Sequence, residues 1–268
     1  MLSKEIRSFF RTLFLLLFCI TLTIAGFCLY TKYYDKKENS KDAIITPVED
    51  STLSDADVEA IINSYLSDNT RNPNVPPSHQ IAMKPILQNP ELPSGCEVTS
   101  LAMILNHMGL NTDKCILADK YLPKGEIGTV SMKEFFIGDP REEASYGCYA
   151  PVIITCATNY IKSCNSDLKV HDFSGAKLSA LFTLIADNKP VIVWTTINML
   201  ESEPTKTWTV NGEIVTWYSQ EHCVVLIGYD YDANTVTVAD PLYGIKEYDL
   251  TTFTDRYNQM FQQAVCIY

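Results

Sequence analysis

The tetrapeptide Ser94-Gly95-Cys96-Glu97 sets a cysteine at the head of a stretch with helical periodicity, a position where a thiol can serve as a nucleophile. Ser94 is expected to act as the N-cap and Glu97 to close a capping box three residues on. Cys96 then falls in the first turn, where unpaired amides and the helix dipole favour its thiolate. Gly95 beside it is expected to let a substrate backbone approach closely. Taken alone, a buried helical cysteine is the plainer reading. Of nine cysteines, Cys19 and Cys28 lie in an apolar N-terminal run, and the remaining odd number leaves at least one thiol unpaired. No CxxC pair occurs, so neither a zinc ribbon nor a redox dithiol has a motif behind it. No metal and no cofactor are expected.

A nucleophilic thiol needs a base, and the four histidines differ in what they can reach. His79 lies in a polar stretch and His171 in an expected loop. His107 is eleven residues beyond Cys96 on the same helix, ~16 Å along its axis, and cannot be its partner. His222 opens the apolar run CVVLIGY, and Asp240 closes the next such run just before Pro241. In an antiparallel hairpin turning near Tyr231 to Ala233, those two positions share one end of the ladder. A histidine beside a carboxylate at a strand end fixes an imidazole tautomer for acid–base work. Each has a plain alternative, an edge histidine and a turn-forming Asp-Pro. Their coincidence with Cys96 singles them out.

The elements that must hold these residues are legible in outline. Residues 94–108 read as a helix stopping at Gly109, and 150–164 and 175–187 carry similar periodicity. Val191 to Ile197 reads as a buried strand. Thr207 to Trp217 alternates on both sides of Asn211-Gly212, a hairpin signal. Cys223 to Tyr229, Thr235 to Val238 and Lys246 to Leu250 follow as strands, and Thr252 to Gln262 as a last helix. Helices precede an antiparallel sheet, which is an α+β order and not a βαβ alternation.

The 268 residues hold 21 Lys plus Arg against 32 Asp plus Glu, a formal net charge of -11. Lys4, Arg7, Arg11, Lys32, Lys36 and Lys37 all precede residue 38, so the remainder is more acidic still. A nucleic-acid partner, which needs a basic face, is excluded. Leu13 to Tyr30 is an uncharged run of 18 residues, long enough to cross most of a ~30 Å hydrocarbon core. Residues 1–37 are read as a cytoplasmic tail and single transmembrane anchor, with a cleaved signal peptide as the alternative. Residues 38–80 form a polar tether with a short amphipathic helix from Ser54 to Leu66, and 81–268 a single domain. The expected location is the cell membrane, with the domain outside the cytoplasm.

The stretches LQNPELPSGCEVTSLAMILNHMG, EHCVVLIGYD and TVTVADPLYG together resemble the exported bacterial branch of the bacteriocin-processing-peptidase-like (C-thirty-nine-like) family, over roughly Met83 to Tyr268. The resemblance implies a papain-like cysteine peptidase fold, with Cys96 as nucleophile, His222 as general base and Asp240 as its orienter. It also implies that Gln88, eight residues before Cys96, completes the oxyanion hole with its side-chain amide. The segment YGCYAPVI (Tyr146 to Ile153) recurs in that group without an assigned role. The expected activity is hydrolysis of peptide bonds through an acyl-enzyme, with a peptide or protein as the substrate. A cell-wall peptide amidase or acyltransferase with the same residues is the rival enzyme, and a catalytically silent peptide-binding module the rival of another class.

Overall fold

The structure, a computed structural model, describes residues 74–268. The apolar run 13–30 and the amphipathic stretch of the tether lie outside the described residues. Among the described residues, no helix is long and apolar enough to cross a membrane.

The framework is one antiparallel sheet. Its strands are β1 (Ser78–Gln80), β4 (Val170–Asp172), β5 (Val191–Thr196), β8 (Glu221–Asp230), β9 (Thr235–Asp240), β10 (Gly244–Asp249) and β11 (Ala264–Ile267). The spatial order is β10-β9-β8-β5-β11-β4, with β1 continuing the β5 side of β8. Every residue of β5 is buried, as are the eight interior residues of β8. Because successive side chains point to opposite faces, both faces of this central pair must be covered. The cover comes from α1 (Cys96–His107), α4 (Leu178–Ala186) and α5 (Leu250–Gln259), while α3 (Ala150–Ser163) lies against β4 and β11. Helix α1 packs against β8, β5 and α3, whereas α5 packs against β5, β9 and β10. A shorter α2 (Lys114–Lys120) leans on α1. The α+β order expected from the sequence is what the chain adopts.

Outside the sheet, β2 (Lys124–Gly125) and β3 (Phe136–Ile137) form a small parallel pair, and β6 (Pro204–Val210) and β7 (Glu213–Tyr218) form the hairpin. Its turn residues Asn211 and Gly212 both have positive φ, at 51° and 86°, as an Asn-Gly turn of this kind requires. Trp208 and Trp217 fasten the hairpin to the rest of the domain. The Trp208 indole donates to Val130 O at 2.8 Å, and Trp217 meets Tyr146 edge-on at 5.2 Å.

Four expectations need correction. The domain begins before Ile81, since Ser78 to Gln80 pair with Asp230 to Gly228. His79 is therefore in a strand. His171 is also in a strand, β4, stacked on Tyr268 at 4.4 Å. The last helix ends at Gln259, because Phe261 and Gln262 take positive φ and turn the chain into the unanticipated β11. Finally, no capping box forms. Gly95 occupies the N-cap without a side-chain cap, the Ser94 hydroxyl donates to Glu142 O, and Glu97 turns inward.

Candidate active site

Helix α1 delivers Cys96 to the sheet. Its far end stops as read, at Gly109 with φ 87°, where Leu110 N–H closes onto Leu105 O at 2.9 Å. Its near end is fixed by packing. A Cβ on Gly95 would lie 2.8 Å from Leu92 Cβ and 3.2 Å from Pro140 Cβ, so this glycine is needed by the protein's own loops rather than by a substrate. Ser100, one turn on and on the face shared with Cys96, donates to Cys223 O at 3.1 Å. The start of α1 is thereby docked beside the residue that follows His222.

His222 and Asp240 meet as the strand register predicts. β8 and β9 pair with Val225 opposite Ala239, so Asp240 at the end of β9 lies toward the start of β8. An extra residue at Ile227 is absorbed beside Gly228, whose missing side chain admits His79 O, 3.0 Å from where a Cβ would sit. His222 Nε2 and Asp240 Oδ1 are 2.9 Å apart, with both side chains buried. A carboxylate can only accept, so Nε2 carries the proton and Nδ1 is left as the basic nitrogen. Burial alone would raise the Asp240 carboxyl. The hydrogen bond and charge of His222, with the amides of Leu242 and Tyr243, outweigh burial and hold it below the ordinary value. Leu242 N–H donates to Oδ1 at 2.7 Å and the Tyr248 hydroxyl to Oδ2 at 3.4 Å.

Gln88 is buried, and its backbone bridges the parts of the site. Its N–H donates to Pro241 O at 2.8 Å, next to Asp240, and its side-chain Nε2 donates to Pro93 O at 2.5 Å, in the loop entering Cys96. One amide N–H remains for a second acceptor. A residue unseen in the sequence holds this loop. Lys114, buried at the start of α2, donates to Leu87 O at 2.5 Å and Gln88 O at 2.7 Å, and pairs with Glu91 at 2.8 Å. Nothing in the local pattern around Lys114 marks it, because its partners lie more than twenty residues away.

The surroundings of Cys96 correct the expected thiolate. The residue is 7% exposed, and its thiol hydrogen bond goes to the neighbouring Glu97 Oε2 at 3.3 Å. Burial first, then the Glu97 and Glu221 carboxyls, push the thiol well above its ordinary value. A helix terminus supplies about half a positive charge, too little against burial and a full carboxylate. These surroundings favour Cys96 as a thiol rather than a thiolate. Glu97 was legible only as a capping residue, and its place inside gives the YGCYAPVI segment a structural role. Its Oε1 accepts the Cys148 N–H at 2.7 Å, while Cys148 O accepts the Trp194 indole at 2.9 Å.

Comparisons with known proteins show the family of the chain. The Peptidase C39 like family matches residues 73–265. An uncharacterized protein of Bacillus subtilis strain 168, YvpB, is 36% identical over 185 residues, covering 66% of this chain and 70% of that protein. The crystal structure of a proposed C39-like peptidase from Bacillus anthracis is 30% identical, with a TM-score of 0.61 over 70% of this chain and 98% of the other. The matched span runs from before β1 into β11 and takes in Gln88, Cys96, His222 and Asp240, and the chain belongs to the Peptidase C39 like family.

Proposed function

We propose that the protein is a cysteine peptidase whose Cys96 attacks the substrate carbonyl, with His222 as general base, Asp240 as orienter of the imidazole and Gln88 as an oxyanion donor. The observation that carries this reading is the buried 2.9 Å bond between His222 Nε2 and Asp240 Oδ1, at the strand end against which α1 docks. A carboxylate on Nε2 leaves Nδ1 basic. His222 can then take the Cys96 proton as sulfur attacks, and return it to the leaving amine when the tetrahedral species collapses to an acyl-enzyme. Water attacks that thioester in the second half of the cycle, with His222 again as base. With the thiol favoured at rest, His222 has to take its proton within the cycle, before or as sulfur attacks.

The apolar run 13–30 and the tether support placing the domain outside the cytoplasm at the membrane surface. The test is cleavage of a peptide library and of cell-wall muropeptides by the full-length protein in detergent, beside Cys96→Ala. Products ending at hydrolysed amide bonds, lost in the variant, are expected. Hydrolysis that survives Cys96→Ala would overturn the assignment, and exclusive transfer to an added amine would favour an acyltransferase.

A further inference from the structure

Two carboxyl groups beside Cys96 have no part in that cycle. Glu97 is fully buried, and each of its oxygens has a donor, Cys148 N–H on Oε1 and the Cys96 thiol on Oε2. Glu221, the residue before His222, brings its carboxyl against the pair. Cys96 Sγ and one oxygen from each glutamate all lie within 4.8 Å of one another. Gly147 closes over them. A Cβ there would come within 2.5 Å of Glu97 Oε1 and 2.8 Å of Glu221 Oε2, so backbone alone fits above the carboxyls. Glu221 Oε1 is buried without a hydrogen-bond partner among the described residues. The titratable groups facing this cluster are His222 and Cys223 from β8, and Cys148 and Tyr149 from the segment entering α3. Two carboxyls so close and so dry do not both ionise. Burial raises both carboxyls, but Glu97 has two donors aimed at it and the charge of His222 nearby, whereas Glu221 Oε1 has no partner among the described residues, so the charge stays on Glu97 and Glu221 holds the proton.

We propose that Glu97, backed by protonated Glu221, is a positioning residue that parks the Cys96 thiol away from His222, so that attack requires the sulfur to turn off this carboxylate. The proposal rests on Cys96 being the nucleophile. In the parked state the S–H bond is intact. On turning, the proton passes to His222 Nδ1, the sulfur electron pair forms the bond to the carbonyl carbon, and the C=O π pair moves onto oxygen. Glu97 neither gains nor loses a proton in the cycle. Its charge restrains thiolate formation until a substrate is in place.

The test is the pH profile of Cys96 alkylation by iodoacetamide in the full-length protein, read cysteine by cysteine by mass spectrometry. Glu97→Gln keeps an acceptor for Cys148 N–H but removes the charge. Cys96 should then label about tenfold faster at pH 7, which corresponds to a titration moved down by about one pH unit. Cys148 and Cys223 should stay protected. Glu221→Gln, which mimics the protonated acid, should leave the neutral-pH rate nearly unchanged. Should Glu97→Gln fail to fold, Glu97→Asp withdraws the carboxylate by one methylene and must also speed labelling. An unmoved Cys96 profile, or joint exposure of Cys148 and Cys223, would overturn the proposal. Alkylation needs no substrate, so the two readings fail separately. A shifted profile in a protein that cleaves nothing removes the peptidase and keeps the parking, whereas cleavage through Cys96 with an unshifted profile removes only the parking.

Discussion

The Asp240 carboxylate accepts from both His222 Nε2–H and Leu242 N–H through the same oxygen, Oδ1. An asparagine here would have its amide oxygen held in that place by Leu242, so the tautomer of His222 survives while the charge is lost. A hydrogen bond to a charged group is worth about 1.5–3 kcal/mol, against ~1 kcal/mol for a neutral one. Asp240→Asn should therefore lower peptide turnover about tenfold, and Asp240→Ala by a further order of magnitude, in steady-state assays. The site carboxyls also set opposite responses to pH. Asp240 titrates lower folded than unfolded, so its stabilising contribution is complete above about pH 4 and is lost as pH falls through the folded value. Glu221 titrates higher when folded, so it lowers stability as pH rises above about 4.5. Glu221→Gln should thus raise the melting temperature at pH 8 by a few degrees, since ~1 kcal/mol moves a domain of this size by roughly 2–4 °C. The gain should vanish near pH 4. At this scale the meeting of His222 and Asp240 was legible from strand register, and the place of Cys96 at the head of a helix from periodicity. Glu97 and Lys114 were not, since a buried charge is defined by partners far along the chain.

The helix and strands that carry the site were readable where periodicity is long, and misread where an element is short. β8 and β9 announce themselves by continuous apolar runs, and the Asn211-Gly212 hairpin by its turn residues. β1, β4 and β11 are three or four residues each and gain their identity only from partners in the sheet. The loop from Leu87 to Gly95 has no periodicity at all, yet it places Gln88. Lys114, at the start of α2, is the buried cation that holds this loop, and Lys114→Met would leave Leu87 O and Gln88 O without that donor. Unpaired buried groups cost about 1–3 kcal/mol. We expect Lys114→Met to destabilise by that amount in urea unfolding, and to lower peptide turnover as Gln88→Ala does, by about 10²-fold for a lost oxyanion donor. Neither change should slow iodoacetamide alkylation of Cys96, which passes through no oxyanion. Gly95→Ala should cost about 1–3 kcal/mol, because its Cβ overlaps Leu92.

For the molecule as a whole, an acidic domain joined through a polar stretch to an apolar run makes a specific expectation about topology. If residues 13–30 anchor the chain with its N-terminus inside, protease added to intact cells should release the domain by cutting between residues 38 and 73. Recovery of the protein in the medium beginning near Gly26 would show a cleaved signal instead. The central claim is that Cys96 acylates with His222 as its base. Its most direct test is mass-spectrometric mapping of acyl groups after brief exposure of the full-length protein to activated peptide esters. Exposed Cys164 reports background acylation common to all variants. The account predicts a thioester on Cys96 that turns over in the wild type, and its loss in His222→Ala while Cys164 labels as before. Cys96 acylated equally fast without His222, or ester hydrolysis persisting in Cys96→Ala, would contradict it.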